Sequence, residues 1–501
     1  MTLAPLHRHQ QTALDDLKQS ILAGHRRPLL QASTGFGKTV VSAHIVAGAR
    51  SKHKRVAFCV PTLGLVDQTF ERFRENGIDP VEMGIMQADH PWSRPGAPIQ
   101  IATAQTLSRR TLPDVDVVVI DEAHIRFSVY DRWMGEAPDK IFIGLSATPW
   151  AKGLGRQFND LVKTTPLSEL IELGFLSKFR VFAPSKPDLD GIRTVAGDYH
   201  EGELAGRMNK PQLVADIVST WLSRAKDLPT LCFAAGRAHA KSIHDEFASV
   251  GVPVAYVDAD TPREDREAIG QALATGAIKV VCNIGTLTTG IDWDVRAIIL
   301  ARPTKSESLF VQIVGRGLRT AHGKTECLIL DHSDTTARLG FVTDIYHDAL
   351  DQGKAIKSKS EASEKRKPLP KCCSHCTALM PVLAQACEVC GTPLPKPVFS
   401  NADGDLEEIG AKHGKKHATA RERLEDMGKQ SVFSQLTAVR LKRGRSSGWA
   451  AHSYKDIFGI WPRGLSELPA DPTPEILSWV RSKDIRFARS RSSAGGKHAV
   501  A

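Results

Sequence analysis

Two successive series of short, uninterrupted apolar segments constrain the fold of this chain more than any other feature. The first series is Arg55–Val60, Pro98–Ala102, Val115–Ile120 and Ile141–Leu145, and the second is Thr230–Ala234, Val252–Val257, Lys279–Cys282, Ala297–Leu300 and Cys327–Leu330. Continuous apolarity is typical of strands that are buried on both faces, as in a parallel sheet covered by helices. The sequence therefore predicts two α/β lobes, divided somewhere in residues 185–215.

Composition narrows the class of protein. The chain has 501 residues, 42% hydrophobic and 24% charged, and this length is enough for two or three domains. No apolar stretch approaches the roughly 18 residues that a membrane helix requires. The polar start, Met1 to Gln11, has no apolar signal core. We expect a cytoplasmic protein without a membrane partner.

The positive charge is confined to one end of the chain. Residues 411–501 contain 18 Lys+Arg and 8 Asp+Glu, a surplus equal to the net charge of +10 for all 501 residues. The remainder is therefore neutral. Such a local surplus predicts that the C-terminal fifth contacts a polyanion, and a solvated basic tail without a specific partner is the alternative.

Beyond the second lobe, the sequence divides into shorter segments. Residues 351–371 are rich in Lys, Ser and Glu and indicate a linker. We expect a basic helical module at 400–488, acting as an accessory region that binds the polyanion, and a disordered tail at 489–501. An aromatic patch in this module either stacks bases or forms the core of a small domain; its members are Trp449, Tyr454, Phe458 and Trp461.

A phosphate-binding loop follows the apolar run Leu29–Leu30. Its sequence is Ala32-Ser33-Thr34-Gly35-Phe36-Gly37-Lys38-Thr39, which departs from G-x-x-x-x-G-K-[ST] only at the first position. In such a loop backbone N–H groups cradle the phosphates, Lys38 reaches the β and γ oxygens, and the Thr39 hydroxyl binds Mg²⁺. The required order of strand, loop and helix is present, so we expect a nucleotide site here. A chance Gly-rich turn is the alternative.

Two carboxylates, Asp121 and Glu122, directly follow the apolar run Val115–Ile120. This places them at the carboxyl edge of a strand, where ligands bind in parallel sheets. We expect Asp121 to hold Mg²⁺ and Glu122 to orient and deprotonate an attacking water. His124 is expected to relay the state of the nucleotide. A helix N-terminus that favours acidic residues is the competing explanation.

Two arginines stand near the end of the second lobe, in Gln312-Ile313-Val314-Gly315-Arg316-Gly317-Leu318-Arg319. Guanidinium groups stabilise charge on a transferring phosphoryl group. Arg316 and Arg319 are therefore expected opposite the phosphates held by the first lobe. A surface salt bridge would not need glycine at both 315 and 317. The pair predicts a site that is completed when the lobes close.

Five of the nine cysteines are clustered, and four of them have the spacing of a zinc ribbon. Cys373 and Cys376 form one C-x-x-C pair, and Cys387 and Cys390 form a second pair after ten intervening residues. Two such pairs supply four thiolates for a tetrahedral, structural Zn²⁺ site. A shifted pairing through Cys372 and free surface thiols are the alternatives.

Taken in chain order, these segments resemble the motifs of superfamily 2 helicases of the DEAH/DExH type. The other matching segments are Val60-Pro61-Thr62, Leu65-Val66-x-Gln68, Ala102-Thr103-Ala104-Gln105-Thr106, Ser146-Ala147-Thr148, Leu231-Cys232-Phe233-Ala234 and Thr288-Thr289-Gly290-Ile291-Asp292. The resemblance covers residues 5–335. It implies two tandem RecA-like lobes, 1–185 and 200–350, followed by a zinc ribbon at 372–395. With Gly323-Lys324-Thr325 and the ribbon, the chain looks most similar to RadD-type bacterial and phage DNA repair helicases.

The resemblance also implies roles for single residues. It implies that three threonines contact the backbone of one nucleic-acid strand: Thr62, Thr103 and Thr288. It implies that His124, Ser146 and Thr148 couple the nucleotide to that strand. It implies that Gln312, Arg316 and Arg319 are catalytic residues. It also implies that Gly290 and Asp292 belong to the nucleotide site. Gln10 is similar in position to an adenine-reading glutamine, although the preceding Pro and Tyr of that motif are absent.

Together these features predict an ATP-dependent DNA helicase or translocase that moves on or remodels DNA in repair, recombination or phage replication. Expected cofactors are ATP, Mg²⁺ and Zn²⁺, and expected partners are single-stranded or branched DNA and single-strand-binding or recombination proteins. DNA is favoured over RNA by the resemblance alone. The alternatives are a double-strand translocase or branch-migration factor, an RNA helicase, a restriction motor subunit, and a binding protein with idle lobes.

Overall fold

The computed structural model describes residues 3–87, 89–288, 292–345, 347–353, 369–395, 424, 427–473, 475–477, 479–480 and 483–484. The chain forms two compact units, Met1–Phe399 and Ser400–Ala501. Most of the predicted linker at 351–371 and all of the predicted tail at 489–501 lie outside the described residues.

A seven-stranded parallel sheet forms the first lobe of the larger unit. Its strands are β1 (Pro28–Gln31), β2 (Val56–Val60), β3 (Met83–Ile85), β4 (Ile99–Thr103), β5 (Val117–Asp121), β6 (Ile141–Ser146) and β7 (Asp160–Lys163). Their spatial order is β3-β4-β2-β5-β6-β1-β7. The helices are α1 (Arg8–Leu22), α2 (Lys38–Arg50), α3 (Gly64–Glu75), α4 (Ala104–Arg109), α5 (Ser128–Glu136) and α6 (Leu167–Glu172).

The central strands are continuous apolar runs because helices cover both faces of the sheet. In β5, for example, Val119 packs into the core on one face and Val118 into the core on the other. Both side chains are fully buried. The predicted parallel sheet is thus confirmed, and its parallel strands bring the loops after β1, β5 and β6 to one edge.

A six-stranded parallel sheet forms the second lobe. Its strands are β8 (Lys178–Phe182), β11 (Thr230–Ala234), β12 (Val254–Val257), β13 (Val280–Asn283), β14 (Ala297–Ala301) and β15 (Glu326–Asp331), and a separate hairpin pairs β9 (Thr194–Val195) with β10 (Asp198–Tyr199). The sheet order is β12-β13-β11-β14-β15-β8. The helices are α7 (Glu201–Met208), α8 (Pro211–Arg224), α9 (Arg237–Ser249), α10 (Arg263–Thr275), α11 (Glu307–Leu318) and α12 (Thr335–Leu339). Short 3-10 turns occur at Pro80–Glu82, Leu154–Arg156 and Thr286–Thr288.

The boundary between the lobes lies earlier than the sequence predicted. Strand β8, placed in the first lobe by the 1–185 boundary, pairs in parallel with β15 at the edge of the second sheet. The sequence did not reveal this because an edge strand buries less surface, and the first three residues of β8 are partly or fully exposed. The first lobe therefore ends before Lys178.

The cysteine-rich segment packs against the second lobe. Strands β16 (Lys371–Cys372) and β17 (Leu379–Met380) form an antiparallel pair. Ala378 forms a bridge with Phe182 at the end of β8, and the Ala183 N–H donates to the Thr377 carbonyl over 2.9 Å. The ribbon thus extends the edge of the second sheet, and its cysteines share a core with residues of that sheet.

The unit Ser400–Ala501 has its own small core, formed by helices Lys429–Lys442 and Trp449–Phe458. The sequence allows the aromatic patch either to stack bases or to form the core of a small domain, and its residues differ in this respect. Tyr454 is 1% exposed in the core, with Trp449 and Phe458 packed against it. Trp461 is 42% exposed, and the Lys455 ammonium lies 4.5 Å from the centre of its ring. Most of the patch belongs to the core, and Trp461 is its most exposed member.

Among the described residues, no helix combines the length and the apolar composition needed to cross a bilayer.

Candidate nucleotide site in the cleft between the lobes

The phosphate-binding loop connects β1 to α2, as the sequence predicts. Gly37 precedes α2 in the left-handed conformation, with φ of 82°, and an added Cβ would lie 2.3 Å from Gln10 Nε2. Only glycine adopts this backbone at low cost. The first turn of α2 contains no acidic residue, so its free N–H groups and Lys38 form an anion site.

Gln10 supports the loop. Its Nε2 donates to the Phe36 carbonyl over 2.9 Å, and its Oε1 accepts from the His7 N–H over 3.0 Å. The side chain is 4% exposed. Both ends of the amide are engaged, so Gln10 fixes the loop backbone in this structure, and its reading of the adenine edge stays a prediction.

The two predicted carboxylates lie at the end of β5, opposite the lysine. Lys38 Nζ is 2.8 Å from Asp121 Oδ1 and 2.5 Å from Glu122 Oε1. Glu122 has φ of 49°, in the left-handed region, where a non-glycine residue costs on the order of 1–3 kcal/mol. Such strain is concentrated at functional sites and directs this side chain into the cleft.

The electrostatics of this triad differ for its three members. Burial raises the pKa of Asp121 above its ordinary value, despite the nearby Lys38. Burial acts in the same direction on Glu122, but the attraction of Lys38 prevails and lowers its pKa. Burial opposes the charge on Lys38, and the two carboxylates outweigh it and raise the lysine pKa. Lys38 therefore stays charged and pairs with both carboxyl groups.

A hydrogen-bonded network joins the predicted coupling residues across the cleft. Gln312 Nε2, from the second lobe, donates to His124 Nε2 over 3.1 Å and to Thr148 Oγ1 over 3.2 Å. Burial lowers the pKa of His124, so the ring is neutral. Since its Nε2 accepts, Nδ1 carries the proton and donates to Ser146 Oγ over 2.9 Å. The network contains all three predicted coupling residues and one predicted catalytic residue.

The two arginines point to the same cleft from α11 and its end. Arg316 Nε donates to the Thr288 carbonyl over 2.8 Å, and Arg319 Nη1 lies 2.8 Å from Asp292 Oδ1. Burial, reinforced by Arg319, lowers the pKa of Arg316 to about 10, so it remains charged at neutral pH. Asp292 also contacts Arg72 of the first lobe, with Nη2 3.3 Å from Oδ2.

The two glycines of the arginine segment have different roles. A Cβ at Gly315 would lie 2.7 Å from Thr34 Oγ1 of the phosphate-binding loop. A Cβ at Gly317 would lie 2.5 Å from Cys327 Sγ, in the sheet beneath α11. Gly315 thus permits the close approach of the lobes, and Gly317 permits the packing of the helix on its own lobe.

These groups line one cleft of about 480 Å³. Its walls include the predicted residues Ser33, Thr34, Gly35, Lys38, Thr39, Asp121, Glu122, Asp292, Gln312, Arg316 and Arg319. Residues of the same walls that sequence reasoning missed include Gln68, Arg72, Asn76 and Phe175. Gln68 belongs to a motif quoted above, but no local pattern distinguishes the other three from ordinary helix or loop residues.

The three threonines that are predicted to contact a nucleic-acid strand differ in exposure and in their hydrogen bonds. Thr62 is exposed, and Thr288 is partly exposed and donates to the Gly285 carbonyl over 2.7 Å. Thr103 is 1% exposed, and its hydroxyl accepts from the Thr106 N–H at the start of α4. Thr103 thus caps a helix, and its contact with a nucleic-acid strand stays a prediction. Gly290 lies outside the described residues.

The four predicted zinc ligands come together. The Sγ atoms of Cys373, Cys376, Cys387 and Cys390 all lie within 4.8 Å of one another, and the first three residues are buried. Cys372 is exposed and is not part of the group. Four converging thiols suit a tetrahedral Zn²⁺ site, and this arrangement favours the predicted pairing over the shifted one.

Known families match both lobes. Residues 3–151 match the family described as the res subunit of type III restriction enzymes, and residues 209–321 match the helicase conserved C-terminal domain.

Similar proteins extend these matches. The chain is 26% identical over 476 residues to a 51.5 kDa protein of a Lactococcus phage (isolate 7-9), covering 91% of this chain and 100% of that protein. It is 30% identical over 358 residues to IRC3 of Saccharomyces cerevisiae, named as an ATP-dependent helicase, covering 66% of this chain and 51% of the relative. The solved Type ISP restriction-modification enzyme LlaBIII, bound to DNA, has a TM-score of 0.50 and 19% identity over 66% of this chain and 28% of its own.

Two parallel α/β lobes with a phosphate-binding loop in one and arginines in the other define a two-lobed, ATP-dependent enzyme of the RecA-like class. Within that class, the matched families and the yeast relative support a superfamily 2 helicase. It spans only about half of the yeast relative.

Proposed function

We propose that this protein is a DNA-dependent ATPase that uses ATP hydrolysis to move on or remodel DNA, in the cytoplasm, in repair, recombination or phage replication. The observation that carries the proposal is the position of α11. This helix brings Gln312 to His124 and brings Arg316 to the cleft that contains Lys38 and Glu122. A chain with idle lobes would have no chemical use for this constellation.

The geometry suggests how ATP would activate the base. Lys38 now neutralises Glu122, and a triphosphate in the loop would compete for the ammonium group. Once Lys38 moves to the phosphates, the largest influence that lowers the pKa of Glu122 is removed, and burial acts to raise this pKa. The carboxylate is then a stronger base for the attacking water. Ground-state pairing with Lys38 would thereby keep the base inactive until substrate arrives.

The donor atoms in the cleft suit the magnesium ion that such a substrate brings. Thr39 supplies a hydroxyl and Asp121 a carboxylate, and both line the cleft. Mg²⁺ prefers hard oxygen ligands of this kind. We assign Thr39 and Asp121 to holding the ion, which neutralises charge on the phosphates. The arginines would stabilise the remaining charge.

Nucleic acid is the proposed second substrate. The basic surplus of residues 411–501 and the exposed Trp461 beside Lys455 support an accessory contact with phosphates and bases. The direct bond from Arg316 to the Thr288 carbonyl supports a link between the strand path and the arginines. Partnership with single-strand-binding or recombination proteins, and kinship with RadD-type repair helicases, are further parts of the proposal.

The test is the ATPase rate measured in parallel with single-stranded DNA, forked DNA and RNA. We expect either form of DNA to stimulate turnover severalfold over the rate without polymer, and RNA to stimulate it less. Equal or greater stimulation by RNA would contradict the choice of DNA, and no stimulation by any polymer would contradict the motor. Strand release from a labelled fork separates a helicase from a translocase that never unwinds.

Zinc is proposed as a structural cofactor of the ribbon. We expect one Zn²⁺ per purified chain by elemental analysis, and we expect Cys376→Ser to lose it. Because the ribbon packs on β8, loss of the metal should also lower the melting temperature of the second lobe. Cys372→Ser is the matched control and should retain one zinc. Purified protein without zinc, or zinc lost from Cys372→Ser, would contradict this assignment.

A further inference from the structure

The chain crosses back from the second lobe to the first after α12. Residues 341–345 and 347–353, here called the strap, follow the last strand and helix of the second lobe. Near the end of the strap Leu350 is buried in a core of the first lobe. The Asp351 carboxylate accepts the Gly153 N–H over 2.7 Å, and its carbonyl accepts the Gly155 N–H over 2.8 Å. The far end of the strap is thus anchored on the first lobe.

His347, in the middle of the strap, contacts both lobes. Its ring lies 4.8 Å from the ring of Trp150, which follows the coupling residues of the first lobe. Its Nε2 lies 2.6 Å from Glu307 Oε2, at the first residue of α11. Since α11 also carries the catalytic arginine, His347 connects the start of that helix to the opposite lobe.

These contacts close a circuit with the network already described. The Trp150 N–H donates to the Thr148 carbonyl over 2.8 Å. Thr148 Oγ1 accepts from Gln312 Nε2 over 3.2 Å, and Gln312 lies one and a half turns along α11 from Glu307. The circuit therefore runs from His347 through the first lobe, across the cleft to α11, and back to His347.

We propose that His347 is a positioning residue for ATP hydrolysis: it sets α11, and with it Gln312 and Arg316, against the coupling residues of the first lobe. This inference rests on the proposed function and deepens it. His347 touches neither the nucleotide cleft nor the predicted strand path. It acts by holding two elements that must move together when the lobes close, because its two contacts are made to different lobes.

A second contact of the strap provides the matched control. Lys163 Nζ lies 2.6 Å from Asp348 Oδ1, with the lysine 46% and the aspartate 71% exposed. An exposed ion pair of this kind contributes about 0–1 kcal/mol. Among the described residues, neither side chain of this pair has a hydrogen bond or ion pair with Trp150 or α11. Asp348→Ala therefore alters the residue next to His347 and leaves the circuit intact.

The experiment compares ATP turnover of the full chain with and without saturating single-stranded DNA. We expect His347→Ala to lower the DNA-stimulated kcat by about fivefold, within the range of coupling through such contacts. The KM for ATP and the rate without DNA should change less than about twofold, because no group that binds ATP is removed. Asp348→Ala should behave as the unaltered protein. His347→Phe, which keeps a ring against Trp150 but not the bond to Glu307, should fall between the two.

Two results would overturn the inference. One is an unchanged stimulated rate in His347→Ala. The other is an equal loss of stimulated and unstimulated rates, which indicates general destabilisation. If His347→Ala does not fold, Glu307→Gln tests the same link from the opposite side and should reduce stimulation selectively. An unaltered protein with no DNA stimulation would contradict the proposed function itself, and the two failures are therefore distinct.

Discussion

Replacing Glu122 with Gln is expected to lower kcat for ATP by about 10²–10⁴-fold, the usual contribution of a general base. The amide keeps the size of the side chain but cannot accept the proton of the attacking water. Lys38 still has Asp121 as a partner, at 2.8 Å, so the loop should retain its geometry. ATP binding and DNA binding should both persist. The measurement is single-turnover hydrolysis, with nucleotide affinity measured separately.

Glu136→Gln is the control for this variant. Glu136 ends α5, its side chain is 60% exposed, and its partner is Arg132 within the same helix. The same chemical change there should leave turnover unaltered. Full activity of Glu122→Gln would contradict the assignment of the base. Loss of ATP binding in that variant would show that Glu122 holds the substrate and does not activate water.

Replacing Arg316 with Ala is expected to lower kcat by about 10³–10⁵-fold, the range that arginine fingers contribute in phosphoryl transfer. Burial lowers the pKa of Arg316, and a desolvated charge interacts strongly with a phosphoryl group. Its Nε bond to the Thr288 carbonyl would also be lost. We therefore expect DNA stimulation to disappear together with turnover.

Arg316→Lys separates charge from geometry. Lysine keeps the charge but cannot form two directed bonds from one plane, so we expect only partial recovery of kcat. Arg180→Ala is the matched control, since Arg180 pairs with Glu326 at the exposed edge of the second sheet. Activity of Arg316→Ala within about tenfold of the unaltered protein would contradict an arginine finger.

Most of the central strands of both sheets could be predicted from the sequence. The apolar runs that became β2, β4, β5, β6 and the central strands of the second sheet are long enough to be read locally. The runs did not reveal the edge strand β8, whose exposed residues interrupt its apolar pattern. A continuous apolar run predicts a strand only where both faces of that strand are covered.

The candidate site shows the same division. Lys38, Asp121 and Glu122 were predicted because each follows a strand that ends at the same edge of the sheet. Gln10 and Thr103 matched family positions, yet one supports the loop and the other caps a helix. Resemblance specified their places along the chain, but their hydrogen-bond partners depend on packing that the local sequence does not record.

The sequence by itself determined the two parallel lobes, the phosphate-binding loop, the paired carboxylates, the arginines and the spacing of the four cysteines. Each of these depends on residues close together in the chain, so backbone geometry alone relates pattern to structure. Only the tertiary structure decided that β8 joins the second lobe, that Gln312 reaches His124, and that His347 contacts both lobes. These contacts join residues more than a hundred positions apart or elements of different lobes, and they form only when the whole chain folds.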